Sequence, residues 1–269
     1  MEATPGGPPD RFRVLFVCTG NICRSPFAQF HTRFLLEARL GPHARRFAVA
    51  SGGTSAVVGS GMHPLSRAQL ASRADHPDVA AFRARQVPER DVAMADLVLT
   101  MSREHRGRVL QDVPQALGKA FTLLEFARLL EHAGPVPLPA DPVERARGLV
   151  ELALRTRGGP APVPAEDDAV GDPIRGDEAD HAAAAGTIDR AVRALVDPLR
   201  PPPPLPPPLP QSPPGRVAPL GGVPSPGPLP PAAWVPPPRP GDPRDDAGAA
   251  RDAAAAVGRY TVPAGERSD

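Results

Sequence analysis

The chain has 269 residues, 40 of them proline, and 22 of those prolines fall between Pro198 and Pro243. A formal net charge of +1 gives no electrostatic case for nucleic acid or an anionic membrane surface, and no apolar run approaches the ~18 residues of a spanning helix. The first ten residues lack a basic region followed by an apolar core, so no secretory leader is expected and a cytoplasmic setting is.

In chain order, Phe12-Arg-Val-Leu-Phe-Val-Cys18 is a short apolar run of strand formers, as a buried parallel strand requires. A Gly-, Asn- and Ser-containing loop follows, and apolar positions then recur at helical spacing through Phe27, Phe30, Phe34 and Leu35 to Gly41-Pro42. Phe47–Ser51 reads as a second strand stopped by Gly52-Gly53, and His63 to about Ser72 as a helix. Ala95–Met101 reads as a third strand with a helix over about Arg103–Gln111. Phe121–Leu124 reads as a fourth strand leading into a helix through Leu130. Pro142 suits the first turn of a helix through Arg155, and Asp177 to Leu199 reads as the last helix. Strands alternating with helices predict a doubly wound α/β fold, a four-stranded parallel sheet with helices on both faces.

Composition divides the chain into a short N-terminal stretch (1–10), a folded domain (11–199) and a disordered proline-rich tail (200–269). The tail's Pro201–Pro210 run predicts polyproline II, a possible ligand for a polyproline-binding partner or a solvated spacer. Lys119 is the only lysine among 31 basic residues, which reads as coding bias and gives Arg richness little functional weight. The seven histidines show no metal-ligand clustering with the two cysteines. Glu166-Asp167-Asp168 reads as a solvated loop, and Arg83 and Arg85 as surface or structural ion-pair residues.

The segment that carries chemistry is Val17-Cys-Thr-Gly-Asn-Ile-Cys-Arg-Ser-Pro26. A cysteine ends a strand, an arginine follows six positions later, and a helix begins at once. Ligands of open α/β sheets bind at the carboxyl ends of strands. A strand-to-helix loop there aims successive backbone N–H groups at one anion, aided by the helix N-terminus, and the same field favours a reactive thiolate. Gly20 and Asn21 tolerate left-handed backbone angles, Arg24 offers a planar fork for two phosphate oxygens, and Ser25 can donate to the sulfur. Cys18 and Cys23 sit in the same tight loop, so both thiols are expected to face the same anion pocket.

Phe16–Pro26 resembles the signature of the low-molecular-weight protein-tyrosine-phosphatase family. The resemblance extends through Ser51-Gly-Gly-Thr54, Phe82-Arg-Ala-Arg-Gln86 and Ala95–Met101 to Gly171-Asp-Pro173. It implies hydrolysis of phosphotyrosine or other aryl phosphate monoesters, on a phosphorylated protein or a small molecule, through a cysteinyl-phosphate and without metal or organic cofactor. By position, Cys18 would be the nucleophile, Arg24 the phosphate clamp and Asp172 the general acid. Thr19, Gly20, Asn21, Ile22, Cys23 and Ser25 would form the phosphate-binding loop, and Ser51 would support it. Asp141-Pro142 and Asp197-Pro198 repeat the Asp-Pro dipeptide; Asp172 is preferred because it follows the fourth strand and precedes the last helix. This chain departs from the family where members often carry aromatic walls: it has Thr54-Ser-Ala-Val-Val58 after the second strand and Ile174-Arg175 after Asp-Pro. Phe82 stands where the family has a histidine.

Other readings compete. The related arsenate reductases need either downstream cysteines, of which none follows Cys23, or an external thiol, with a loop usually reading His-Asn-Ala/Ser-Gly-Arg-Ser. The arginine-phosphate phosphatases typically carry Thr at the position of Ile22. An inert adaptor acting through the tail would have no need of Cys18, Arg24 and Asp172.

Overall fold

The computed structural model describes residues 10–159 and 163–200. Apart from Asp10 and Arg200, the stretches expected to be disordered lie outside the described residues, as do Trp234 and Tyr260.

The first strand, β1 (Phe12–Cys18), runs into α1 (Arg24–Leu40), and β2 (Phe47–Gly53) returns alongside it. Three short helices follow, α2 (Pro64–Ala68), α3 (Pro77–Ala80) and α4 (Glu89–Met94). Then come β3 (Leu97–Thr100), α5 (Arg103–Asp112), β4 (Ala120–Thr122) and α6 (Leu123–Ala133). Two longer helices, α7 (Pro142–Thr156) and α8 (Glu178–Val196), complete the described residues. The strands form one parallel sheet in the order β2-β1-β3-β4. This is the expected doubly wound α/β fold.

Successive side chains of a strand point to opposite faces, and β1 shows why both faces are covered. Phe12, Val14, Phe16 and Cys18 enter a large core built with α1, α6, α7 and α8. Leu15 and Val17 enter a smaller core on the other face, with Val92, Val109 and Val113. The register sets Cys18 opposite Gly53 and Val17 opposite Thr100, so the carboxyl ends of β1, β2 and β3 open on one edge of the sheet. No helix among the described residues is long and apolar enough to cross a membrane.

Several boundaries differ from the sequence reading for local reasons. The helix expected over His63–Ser72 breaks after α2 into a short 3-10 turn, with Ala71 at φ +50°. The fourth strand yields to helix at Leu123 because Thr122 accepts the Glu125 N–H while Glu125 accepts the Thr122 N–H, a reciprocal cap. β2 runs on through Gly52 and Gly53 rather than stopping before them. A Cβ at Gly53 would fall onto the Thr19 carbonyl, and one at Gly52 would press on Val87 at 2.9 Å. The glycines therefore let the 85–87 segment and the loop after β1 close onto the strand. Asp177 caps the last helix, accepting from the N–H groups of Ala179 and Asp180, and Asp197–Leu199 finishes it as a 3-10 turn.

Candidate active site

β1 ends at Cys18 and α1 begins at Arg24, leaving Thr19–Cys23 as the connecting loop. Its carbonyls are tied to one neighbouring segment: Cys18, Thr19, Gly20 and Ile22 accept from the N–H groups of Thr54, Ser55, Val57 and His63 at 2.8–3.1 Å. A trans peptide points its N–H opposite its carbonyl, so the N–H groups that follow those carbonyls turn toward the centre of the loop. The Asn21 N–H reaches the Cys18 Sγ at 3.3 Å.

Asn21 is the keystone. It adopts φ +55°, a left-handed angle that Asn accepts more readily than most residues. Its buried amide donates through Nδ2 to the hydroxyls of Ser25 and Ser51, both at 2.9 Å, and accepts the Arg85 N–H at 3.0 Å. Ser51 in turn donates to Gln29 Oε1 at 2.7 Å. Because Ser25 Oγ already accepts from Asn21, its proton can point to Cys18 Sγ, 3.0 Å away. Cys18 as a whole is only 2 % exposed.

Arg24 is the first helical residue of α1 and is almost buried. One terminal nitrogen donates to the Val170 carbonyl at 3.1 Å and the other to Asp172 Oδ2 at 2.7 Å. Its Nε is buried without a partner. The structure thus brings Cys18, Asn21, Arg24, Ser25, Ser51 and Asp172 together from both ends of the described chain. Asp172 is 44 % exposed at its side chain, and its other oxygen accepts the Ile174 N–H. The loop bearing it is docked by the Val170 N–H on the Met101 carbonyl, just beyond β3.

Three findings correct or extend the sequence reading. Asp168 is not a solvated residue: it is 3 % exposed, held by Arg103 from α5 and Arg128 from α6. Two cations from neighbouring helices supply the partners that a buried carboxylate needs, and they anchor the segment leading to Asp172. Second, Cys23 has neighbours that the sequence did not place beside it. Its thiol lies with His63 and His181 in a cluster whose ligand atoms are all within 4.8 Å of one another. Burial pushes this thiol up to about 11. The expectation that histidines and cysteines do not cluster therefore fails: residues 23, 63 and 181 are brought together only by the packing of α2 and α8 on the loop.

Third, His105 was missed. Its Nε2 meets Thr19 Oγ1 and its Nδ1 meets Ser102 Oγ, each at 2.8 Å. Burial, reinforced by the Arg24 charge, pushes its pKa down to about 4, so the ring bridging the loop to α5 is neutral. Its one local signal is Ser102 as the N-cap of α5, accepting the His105 N–H.

The mouth of the loop is aliphatic. A side chain at Gly20 would touch Ile22 and Val57 at 3.5–3.6 Å, while Val57, Val58 and Ile174 are exposed. Arg85 pairs with Asp91, whereas Arg83 donates to the carbonyls of Ala80 and Phe82. Phe82 packs edge-on against Phe30.

The sequence profile described as low molecular weight phosphotyrosine protein phosphatase matches residues 13–150, just over half of the chain. A protein-arginine-phosphatase of Geobacillus stearothermophilus is 35% identical over 145 residues, which is 53% of this chain and 91% of that protein. The low molecular weight protein-tyrosine-phosphatase Wzb of Escherichia coli (strain K12) is 36% identical over 143 residues, 53% of this chain and 90% of its own. Among solved structures, the YwlE arginine phosphatase from Geobacillus stearothermophilus aligns with a TM-score of 0.47 and 25% identity, covering 69% of this chain and 91% of that one. The profile match includes the loop, Ser51 and His105 but ends before Asp168 and Asp172.

Proposed function

Because the chain belongs to the low molecular weight phosphotyrosine protein phosphatase family, we propose that it hydrolyses aryl phosphate monoesters, phosphotyrosine on proteins foremost, through a phosphocysteine at Cys18. The observation that carries the proposal is the Cys18 sulfur itself, which receives the Asn21 N–H and faces the Ser25 hydroxyl within a loop that ends on Arg24. Both contacts are made to the atom that, as the thiolate, attacks phosphorus.

In the first step the Cys18 thiolate gives its electron pair to phosphorus, and the phosphorus–oxygen bond to the alcohol breaks. As the phosphate takes the Arg24 nitrogen that Asp172 accepts in the free site, the protonated Asp172 carboxyl gives its proton to the departing oxygen, a step that matters most for basic leaving groups. The non-bridging oxygens take up loop N–H groups and the Arg24 guanidinium, whose buried, unpartnered Nε is a donor fit for this purpose. In the second step Asp172, now a carboxylate, takes a proton from water. The water oxygen bonds to phosphorus and the Cys18–phosphorus bond breaks, regenerating the thiolate, which Ser25 receives with its hydroxyl. No cofactor or metal is required by this balance.

The aliphatic pair Ile22 and Val57 beside Gly20 favours a flat apolar ring over a guanidinium, which places the aryl reading ahead of arginine phosphate. Two free thiols in the described residues fit a reducing compartment, in line with a cytoplasmic setting. A polyproline-binding partner for the tail remains a separate proposal, resting on composition alone.

Leaving-group dependence tests the assignment of Asp172. Asp172→Ala should slow turnover of phenyl phosphate by about 10²–10⁴ and of nitrophenyl phosphate much less, as read from steady-state kcat. A uniform loss across leaving groups would move the acid elsewhere.

A further inference from the structure

We propose that Cys23, His63 and His181 form a binding site for a thiophilic divalent cation of the zinc type, beside the phosphate loop and separate from Cys18. The three side chains come from the loop, from the residue preceding α2 and from α8, and their ligand atoms lie within 4.8 Å of one another. The edges of a tetrahedral zinc site with one sulfur and two nitrogens are about 3.3–3.6 Å long, given bonds of ~2.3 and ~2.0 Å. Closing the difference takes a shift of roughly an ångström together with rotation of one ring out of the stack, so that both lone pairs meet the ion.

Two independent features point to a cation rather than to ordinary core histidines. His63 Nδ1 and His181 Nε2 are both buried and both lack a hydrogen-bond partner, a costly arrangement for a single buried nitrogen and more so for two. One nitrogen of each ring lies within 4.8 Å of the Cys23 sulfur, and the rings themselves are stacked at 4.5 Å with planes 9° apart. In addition, His181 Nδ1 is engaged by Ser66 Oγ at 2.8 Å. When the ring donates through Nδ1, Nε2 is left as a lone pair, which is how an outer partner fixes the tautomer of a metal-binding histidine.

The donor set selects the ion. One sulfur and two imidazoles with no oxygen ligand disfavour calcium and magnesium and suit zinc. Asp180, Asp172 and Asp177 contribute negative potential at His181, and Arg24 contributes positive potential at Cys23. On binding, the Cys23 thiol releases its proton to solvent and the sulfur bonds the metal, with water at the fourth position reached past the partly buried His63. Three protein ligands make an exchangeable site, one that staples the loop to α2 and α8.

The test is done in a Cys18→Ser background, which removes the other thiol. Calorimetric titration with zinc chloride should give one ion per chain, zinc should raise the melting temperature, and cobalt(II) should show a thiolate charge-transfer band. Adding His63→Gln or His181→Gln should weaken zinc binding at least about tenfold and abolish the thermal shift, and adding Cys23→Ser should remove the cobalt band. Absence of stoichiometric binding in Cys18→Ser, or binding unaffected by His63→Gln, would overturn the site. His63 is only partly buried, so its variant decides the matter even if the buried ones fail to fold. Because zinc binding is read directly, its failure leaves the phosphatase reading untouched.

Discussion

Asn21 fixes three neighbours with one amide, and His105 fixes a fourth contact, Thr19, from across the pocket. The two differ in what pH does to them. An amide does not titrate, whereas His105 is held neutral with a pKa lowered from 6.5 to about 4. The unfolded chain binds this proton first as pH falls. The stability gained by burying a neutral ring is therefore whole above pH 6.5 and is lost progressively toward pH 4. The full shift corresponds to up to about 3 kcal/mol. Urea melts of wild type and His105→Gln across that range should show the wild type losing stability more steeply, since carboxylate titrations are common to both. Parallel losses would mean that the ring protonates as easily folded as unfolded. At the same scale, Gly53→Ala places a methyl group on the Thr19 carbonyl and should destabilise the fold and the loop together.

At the scale of elements, the site is two pieces docked on one another: the β1–α1 loop and the segment 168–172. The second is held by Asp168 between Arg103 and Arg128, by the Val170 N–H on Met101 and by the Val170 carbonyl on Arg24. Asp168→Asn leaves a neutral amide against two partly exposed arginines that can regain water, so the stability cost should be about 1–3 kcal/mol. If Asp168 positions Asp172, the same variant should lower kcat for phenyl phosphate more than for nitrophenyl phosphate, a split that a merely stabilising residue would not produce. The β1–α1 piece was legible in the sequence because its signals are local: a short apolar run of strand formers in β1, a Gly-Asn turn, and helical spacing from Phe27 onward. Asp168 was not, because three consecutive acids read as solvated until two helices deliver arginines to one of them. The cluster of Cys23, His63 and His181 was hidden for the same reason, its members being as many as 158 positions apart in the chain. The 3-10 break after α2 was equally invisible, since nothing in Leu70-Ala71 announces a positive φ at alanine.

At the scale of the whole molecule, the proposed chemistry uses residues between 18 and 172 of a chain of 269, and among the described residues the last one in the packed core is Leu199. We propose that the domain is bounded by residues 11 and 199. Truncation after Arg200 should therefore leave the melting temperature and the turnover of small aryl phosphates nearly unchanged; a large loss of either would place part of the tail in the folded unit. The proline-rich stretch from Pro201 would then act, if at all, by recruiting partners.

The central claim is covalent attachment of phosphate to Cys18. Rapid acid quench during turnover of an aryl phosphate, followed by mass spectrometry of the digested protein, reads it directly. The account predicts a phosphate adduct on the peptide carrying Cys18, formed within the first turnover and missing from Cys18→Ala. Turnover by Cys18→Ala, or a phosphate adduct on any other residue, would contradict it.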